Sequence, residues 1–405
     1  MGFANDDPLR FIWLENPFSE DGRKMVEGSI MEKKGREKRK KAGLKEFGDR
    51  KRPAQKVHRL ACNGKTSTDG YWDNSTPPVL FIDSGEVVDI ETGTHLMGRM
   101  APGAGIQDWM KWLKEVIAET PETYIYPDPL TGAQKIKRGA GHHHLTGPVY
   151  VNAAEPGDVL QVEILDIVPE AVGFNLNPET SFVNQGLLAE DYPQGKVRWY
   201  PVDIKKKKFE FLPGIEIPIR PFPGTIGVEL PEAGRWSNAP PGRHGGNLDN
   251  KDLIPGTVLY LPVWLKGAGL RTGDSHLAQG HGEVNLNALE GAFREISLRV
   301  TVRKDLKDLI DWPMASSPTH WITMGIHTNL LESCKMAVRK AITFLNKYYG
   351  IPETEGYAFC SMAVDLHVTQ AVDYTLGIHA MIPKACFIGR QYAPRNTLLL
   401  RTKLP

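Results

Sequence analysis

Forty glycines and thirty prolines are spread along 405 residues, and this punctuation constrains the fold more than any single motif. Proline fixes φ and removes a backbone donor, while glycine opens turns closed to other residues. Long uninterrupted helices are therefore few, and short strands between turns are many. An apolar fraction of 41% against 24% charged supplies ample core for one composite domain or for two or three smaller ones.

Charge and cysteine usage exclude several classes. A net charge of +1 gives no global case for nucleic acid or an acidic membrane as partner. Cys62, Cys334, Cys360 and Cys386 lie far apart without a CxxC pair, the usage expected of reduced thiols. The opening MGFANDDPLRFIWLENPF lacks a basic-then-apolar signal, and no window reaches the apolar length of a bilayer span. A soluble cytoplasmic protein with a small-molecule partner is the expectation.

Residues 1–75 read as a basic N-terminal arm, because KKGREKRKKAGLKEFGDRKR occupies 33–52. Aromatic side chains for base stacking are almost absent from it, so a solvated helix or subunit-contact arm is expected. Residues 76–310 read as a β-rich body. Two apolar runs flank Asp83-Ser84-Gly85 and predict a β-hairpin. Trp109, Trp112, Leu113 and Ile117 have helical spacing within 107–119, while Leu160, Val162 and Ile164 alternate as in a strand. Residues 311–405 read as an α/β C-terminal portion. A long helix there carries Leu331, Cys334, Val338, Ala341 and Leu345 on one face, and a second helix is expected around 356–373. The fold class is α+β, a β-rich body of sandwich-like antiparallel sheets with a helical C-terminal α/β portion.

The chemistry concentrates in GDSHLAQGHGEV, residues 273–284. Asp274 and His276 alternate, so an extended backbone points both the same way. Gly280 and Gly282 permit a turn that returns Gln279, His281 and Glu283 towards them. One imidazole with two carboxylates suits a divalent metal. Upstream, GGNLDN puts Asn247 and Asp249 on one side, and the strand 256–265 between the motifs is expected to join them. The consecutive His142, His143 and His144 alternate faces, so either His142 with His144, or His143 alone, faces a shared site. His327, His367 and His379 read as ordinary satisfied polar groups, whereas Asp365 between Val364 and Leu366 needs a partner. There is no GxSxG elbow, P-loop or HExxH.

Taken in order, HHLTGPVYVNAAEPGD (143–158), FPGTIGV (222–228), GGNLDN (245–250), GTVLYLPV (256–263), GDSHLAQGHGEV and VDLHVTQAVD with GIHAMIPK resemble the acetamidase/formamidase family across roughly residues 76–385. The resemblance implies a sandwich-like β body, a homo-oligomer, and hydrolysis of a carboxamide C–N bond to carboxylate and ammonia. On that reading a divalent metal (Zn or similar) is held by Asp249, Asp274 and His276. Glu283 and His276 act catalytically, and Asn247, His143 and Gln279 face the substrate. A metal-free version has Glu283 or Asp274, paired with His276, activating water or attacking directly. The alternative from another class is a non-catalytic small-amide or metal-binding protein on the same scaffold. Segments 98–138 and 174–194 depart from short-amide members and are expected to set the substrate.

Overall fold

Two large sheets carry the fold in a computed structural model that describes residues 56–119, 123–128, 132–136, 141, 143–181, 183 and 185–389. The basic run 33–52 and His142 lie outside the described residues. The first sheet has nine strands in the order Val57–Leu60, Val87–Ile90, Phe293–Arg303, Val159–Pro169, Val258–Pro262, Met314–Ser316, His320–His327, Leu376–Pro383 and Asp365–Gln370. The second runs Ile215–Pro218, Lys208–Leu212, Lys196–Asp203, Val172–Asn177, Leu289–Gly291, Leu270–Ala278, Phe222–Gly227 and Gly245–Asn247. His144–Val151 branches from it, pairing with Leu270–Ala278, Ser67–Asp69 and Leu80–Ile82.

Alternation explains how the sheets join. Val88, Ile90, Val162, Ile164, Leu298 and Val300 of the first sheet share one buried cluster with Val149, Val151, Ile226, Leu270 and Leu277 of the second. Each such side chain contributes roughly 1.5–3 kcal/mol on burial, and inner faces of this kind make the core of a sandwich. The fold is α+β and mostly strand, as the glycine and proline punctuation implies. No helix among the described residues is long and apolar enough to cross a membrane.

Several local expectations are corrected. The turn at Asp83 forms, with the Glu86 amide donating to the Asp83 carbonyl at 3.1 Å. Its flanking strands do not pair, however: Leu80–Ile82 lies along His144–Val151, and Val87–Ile90 along Phe293–Arg303. The segment is a corner between sheets, not a hairpin. Residues 365–370 are a strand instead of part of a second helix, which ends at Ala363. Asp365 is exposed there, so its carboxylate needs no protein partner. The strand Val258–Pro262 belongs to the first sheet and does not link the two polar motifs, which Phe222–Gly227 joins instead.

The long helix spans Leu330–Tyr349, capped by the Asn329 side chain, which accepts from the Leu331 and Glu332 amides, and closed by Gly350 at φ 67°. Its buried stripe is Ser333, Ala337, Ala341, Phe344 and Leu345, while Leu331 is 63% exposed. Close approach to the sheet selects that stripe, because a Cβ on Gly325 would strike the Ser333 carbonyl oxygen and the Ala337 nitrogen. Small residues win this face over the larger Leu331. Replacing Gly325 by Ala should therefore cost about 1–3 kcal/mol in urea denaturation, the range for overpacking. An unchanged midpoint would mean the helix does not seat on that glycine.

Candidate active site

The strand Leu270–Ala278 changes partner halfway along. One edge pairs with Phe222–Gly227 throughout, from Phe222 opposite His276 to Gly227 opposite Arg271. On the other edge Leu270, Thr272 and Gly273 face His144–Val151, whereas Ser275, His276 and Ala278 face Leu289–Gly291. Asp274 sits at this fork with φ 51°, a left-handed backbone that an aspartate tolerates better than most residues. Register then assembles the site: His276 lies opposite Glu290, and Thr225 opposite Asn247.

Asp274 is the hub. His95 Nε2 meets its Oδ1 at 2.8 Å, and His276 Nε2 and His143 Nε2 approach Oδ2 at 3.3 and 3.7 Å. Glu290 Oε2 lies 3.2 Å from His276 Nε2 and 3.3 Å from His95 Nε2. Glu283 Oε1 is 3.9 Å from His276 Nε2, and Asp249 Oδ1 is 3.7 Å from the other ring nitrogen, Nδ1. All these residues are buried. A cavity of about 10 Å³ ringed by His95, His143, Asp274, His276, Glu283, Glu290 and Asp373, among others, lies between them. That is room for one water or one ion.

Hydrogen bonds fix the rings. Gln279 donates to the carbonyls of Asp249 and Thr369 at 3.0 and 3.3 Å, so its Oε1 accepts from His276 Nδ1 at 2.8 Å. His276 thereby presents Nε2 to the cavity. Asn247 accepts from Thr225 Oγ1 at 2.7 Å and donates to Asp373 Oδ2 at 3.2 Å.

The carboxylates fall into two electrostatic halves. Burial opposes the charge on Asp274, yet His143 and His276 outweigh it and hold the carboxyl well below its usual range. The same contest, decided by His276 and His95, takes Glu290 down to about 2. In return Glu290 and Asp274 overcome burial and lift His95 to about 9, with His276 raised likewise. On the other side burial dominates. It raises Asp249, helped by Glu283 and Asp373; it raises Glu283, helped by Asp373; and it pushes Asp373 up to about 7. Acids driven apart in this way are suited to divided acid and base roles.

Each residue singled out from the sequence has a definite place. His143, Asp274, His276 and Glu283 line the cavity, and alternation on the backbone turns His144 away to Asp69 at 2.6 Å. Asn247 reaches the cavity with both ends of its amide bonded, while Gln279 stands behind His276. His281 does not join them, and meets His367 and His379 instead. His95, Glu290 and Asp373 were missed. Glu290 carried a usable signal, an acid between Leu289 and Gly291 on an apolar strand. His95 and Asp373 carried none, since a short helix brings in the first and a bend after the strand Asp365–Gln370 the second.

A second cavity, about 660 Å³, shares Glu283 with the first. Tyr200, Phe209, Phe211, Ile217, Arg198 and Arg220 line it. The described part of 98–138 does not: Trp109, Leu113 and Val116 pack with Phe174, whose ring meets that of His95.

A buried cluster of imidazoles and carboxylates surrounds a one-molecule chamber, and comparisons with known proteins give the class. The profile of the Acetamidase/Formamidase family matches residues 138–234 and 231–388, more than half of the chain, which therefore belongs to that family. A formamidase from Methylophilus methylotrophus is 25% identical over 315 residues, covering 60% of this chain and 74% of that protein. An acetamidase from Mycolicibacterium smegmatis is 27% identical over 201 residues, 35% of this chain and 49% of that one. The crystal structure of an acetamidase from Bacillus halodurans superposes with a TM-score of 0.66 at 27% identity, covering 82% and 98%.

Next to the cavity, His144 gives a prediction of its own. Burial works against its charge, but Asp69 and Cys62 raise it to about 9. A folded-state value above the unfolded one stabilises the fold below the unfolded pKa and loses that contribution as pH rises through the folded one. The stability gap between the parent and His144→Asn should be about 3 kcal/mol near pH 6 and shrink towards pH 9. A gap independent of pH would deny the pairing with Asp69.

Proposed function

We propose that the amide hydrolysis of this family is carried out here in the chamber around Asp274, with a divalent cation held among its histidines and carboxylates. As a family member the chain is a hydrolase of carbon–nitrogen bonds in linear amides, releasing carboxylate and ammonia. The observation that carries the assignment of the site is a one-molecule chamber walled by three imidazoles and several carboxylates.

The donors fit such an ion. Mixed imidazole nitrogen and carboxylate oxygen is a common set for zinc and its neighbours. Gly224 keeps the wall open, because a Cβ there would lie 2.6 Å from Asp274 Oδ2, 2.8 Å from Asp249 Oδ1 and 2.8 Å from His276 Cε1. Asp274 and His276 Nε2 would hold the cation with His143 and Glu290 beside them. Asp249, placed in the same set from sequence, supports the site from the Nδ1 side of His276. When bound, the ion supplies Lewis acidity, polarising the amide carbonyl and acidifying water.

The chain's own groups do the rest. Burial raises both Glu283 and Asp373, and Asp373 stands at about 7. Ionised Glu283 takes a proton from the attacking water and returns it to the departing nitrogen. Asn247 positions Asp373, and Gln279 fixes the tautomer of His276. The larger cavity, with its aromatic and aliphatic walls, exceeds what formamide needs. It suits an amide with a bulkier apolar substituent. The proposal includes a homo-oligomer, as the sequence resemblance implies, and a cytoplasmic location, as the cysteine usage suggests. No observation favours a binding-only protein.

Ammonia release across amides from formamide to bulky aromatic ones, with and without prior chelation, tests this reading. Turnover is expected to be greatest for a substituted amide and to vanish on chelation. Silence across the panel from folded, metal-loaded protein would favour the binding protein. Glu283→Gln should lower kcat by about 10²–10⁴ while leaving metal content at the parent level. Loss of metal together with activity would make Glu283 a ligand. Gly224→Ala should lose both, by filling the wall.

A further inference from the structure

Outside the active site, three histidines and an aspartate from three separate segments converge. His367 and His379 lie directly opposite each other on the paired strands Asp365–Gln370 and Leu376–Pro383. His281 comes from the turn after Leu270–Ala278, and Asp252 follows the Gly245–Asn247 strand. One ligand-type atom from each of the four lies within 4.8 Å of all the others. The ring centroids are 4.5 Å apart for His281 and His367, 5.3 Å for His281 and His379, and 5.1 Å for His367 and His379.

As an ordinary polar contact the group is poorly satisfied. His281 Nδ1 and His367 Nδ1 are buried without a hydrogen-bond partner. An imidazole nitrogen left dry costs about 1–3 kcal/mol, and such an atom calls for an ordered water or an ion. The other two members are oriented from behind. Thr369 Oγ1 meets His379 Nδ1 at 2.7 Å, which leaves Nε2 aimed at Asp252 Oδ2, 3.2 Å away. Arg220 donates to Asp252 Oδ1 at 2.9 Å, so Oδ2 is the oxygen turned towards the rings. Supporting contacts of this kind accompany metal ligands.

We propose that Asp252, His281, His367 and His379 form a second metal site, distinct from the active-site cluster, which takes a zinc-like divalent cation through three imidazole nitrogens and one carboxylate oxygen. Three imidazoles with one carboxylate suit four-coordinate zinc. Lys251 and Arg220 are nearby cations that oppose a dication, and Asp252 offsets them. The site would tie together the 249–252 turn, the 279–283 turn and the strand 365–370. That clamp matters to the chemistry because Glu283 stands two residues from His281. Gly282 between them already bridges to Gln370, its amide donating to the Thr369 carbonyl at 3.2 Å.

The test uses the full chain, stripped with a chelator and equilibrated with Zn²⁺, counting bound equivalents by elemental analysis. The double variant His281→Gln, His367→Gln should bind one equivalent fewer than the parent, whereas His276→Ala should lose a different one. Equal zinc in the parent and the double variant would overturn the second site while leaving the active-site metal in place. An equivalent lost in the double variant but not in His276→Ala would uphold the second site even where the active-site metal fails. Should the double variant not fold, acylation of histidines in the parent by diethyl pyrocarbonate serves instead. Zn²⁺ at about ten times its dissociation constant should slow modification of His281 and His367 by about tenfold, since only metal-free protein reacts. Unslowed acylation at saturating Zn²⁺ would show that a water, not a cation, fills the cluster.

Discussion

A single buried carboxylate, Asp274, organises the surrounding structure. In the dry interior of a sandwich an isolated carboxylate is unstable by several kcal/mol unless cations or donors surround it. His95, His143 and His276 meet that need from three directions, and Glu290 balances the resulting positive charge. Once those positions are fixed, Gln279 must stand behind His276 and Thr225 must reach Asp274 and Asn247. The sheet's fork is the geometric form of the same constraint. A strand paired on both edges all along would leave no gap for so many polar side chains.

Backbone conformation carries part of the cost. Asp249, Asp274 and Glu283 all have φ near +50°, and such residues persist where their surroundings over-determine them. Glycine does the complementary job of letting strands close up. A Cβ at Gly273 would run into the His144 carbonyl, and one at Gly224 would enter the chamber wall. Strained acids and glycines are thus neighbours in sequence, Gly273 before Asp274 on the strand and Gly282 before Glu283 in the turn that follows it. This is why the most informative residues are concentrated in FPGTIGV and GDSHLAQGHGEV.

The legible part of the site was the part that is local in sequence. Period-two alternation placed Asp274 with His276, and it separated His143 from His144 without any knowledge of the partner strands. His95 was invisible because a four-residue helix brings it in, and only the fork tells which distant side chain faces Asp274. Alternation also overvalued Asp365, since an apolar neighbourhood in sequence does not say whether a strand lies at a sheet's edge, where that one does. Asp83-Ser84-Gly85 makes the same tight turn whether the chain returns alongside itself or crosses to another sheet. Turn chemistry fixes the bend, whereas pairing is decided by which apolar face finds a partner. The helix 330–349 erred for a related reason: hydrophobicity chose its face, but clearance over Gly325 overruled it.

His95 also shows that the site is larger than its most recognisable segment. Residues matched by the family profile supply His143, Asn247, Asp274, His276, Glu283, Glu290 and Asp373, but His95 lies before them. Its ring is held against Phe174, which the helix Ile106–Glu119 backs through Trp109, Leu113 and Val116. Without His95, Asp274 Oδ1 would lose its 2.8 Å partner and Glu290 one of its two imidazoles. The positive charge that keeps Asp274 and Glu290 ionised would then rest chiefly on His276. The segment before residue 138 is therefore part of the candidate site's electrostatics, not a peripheral addition, and its helix bears on that site through the ring it supports.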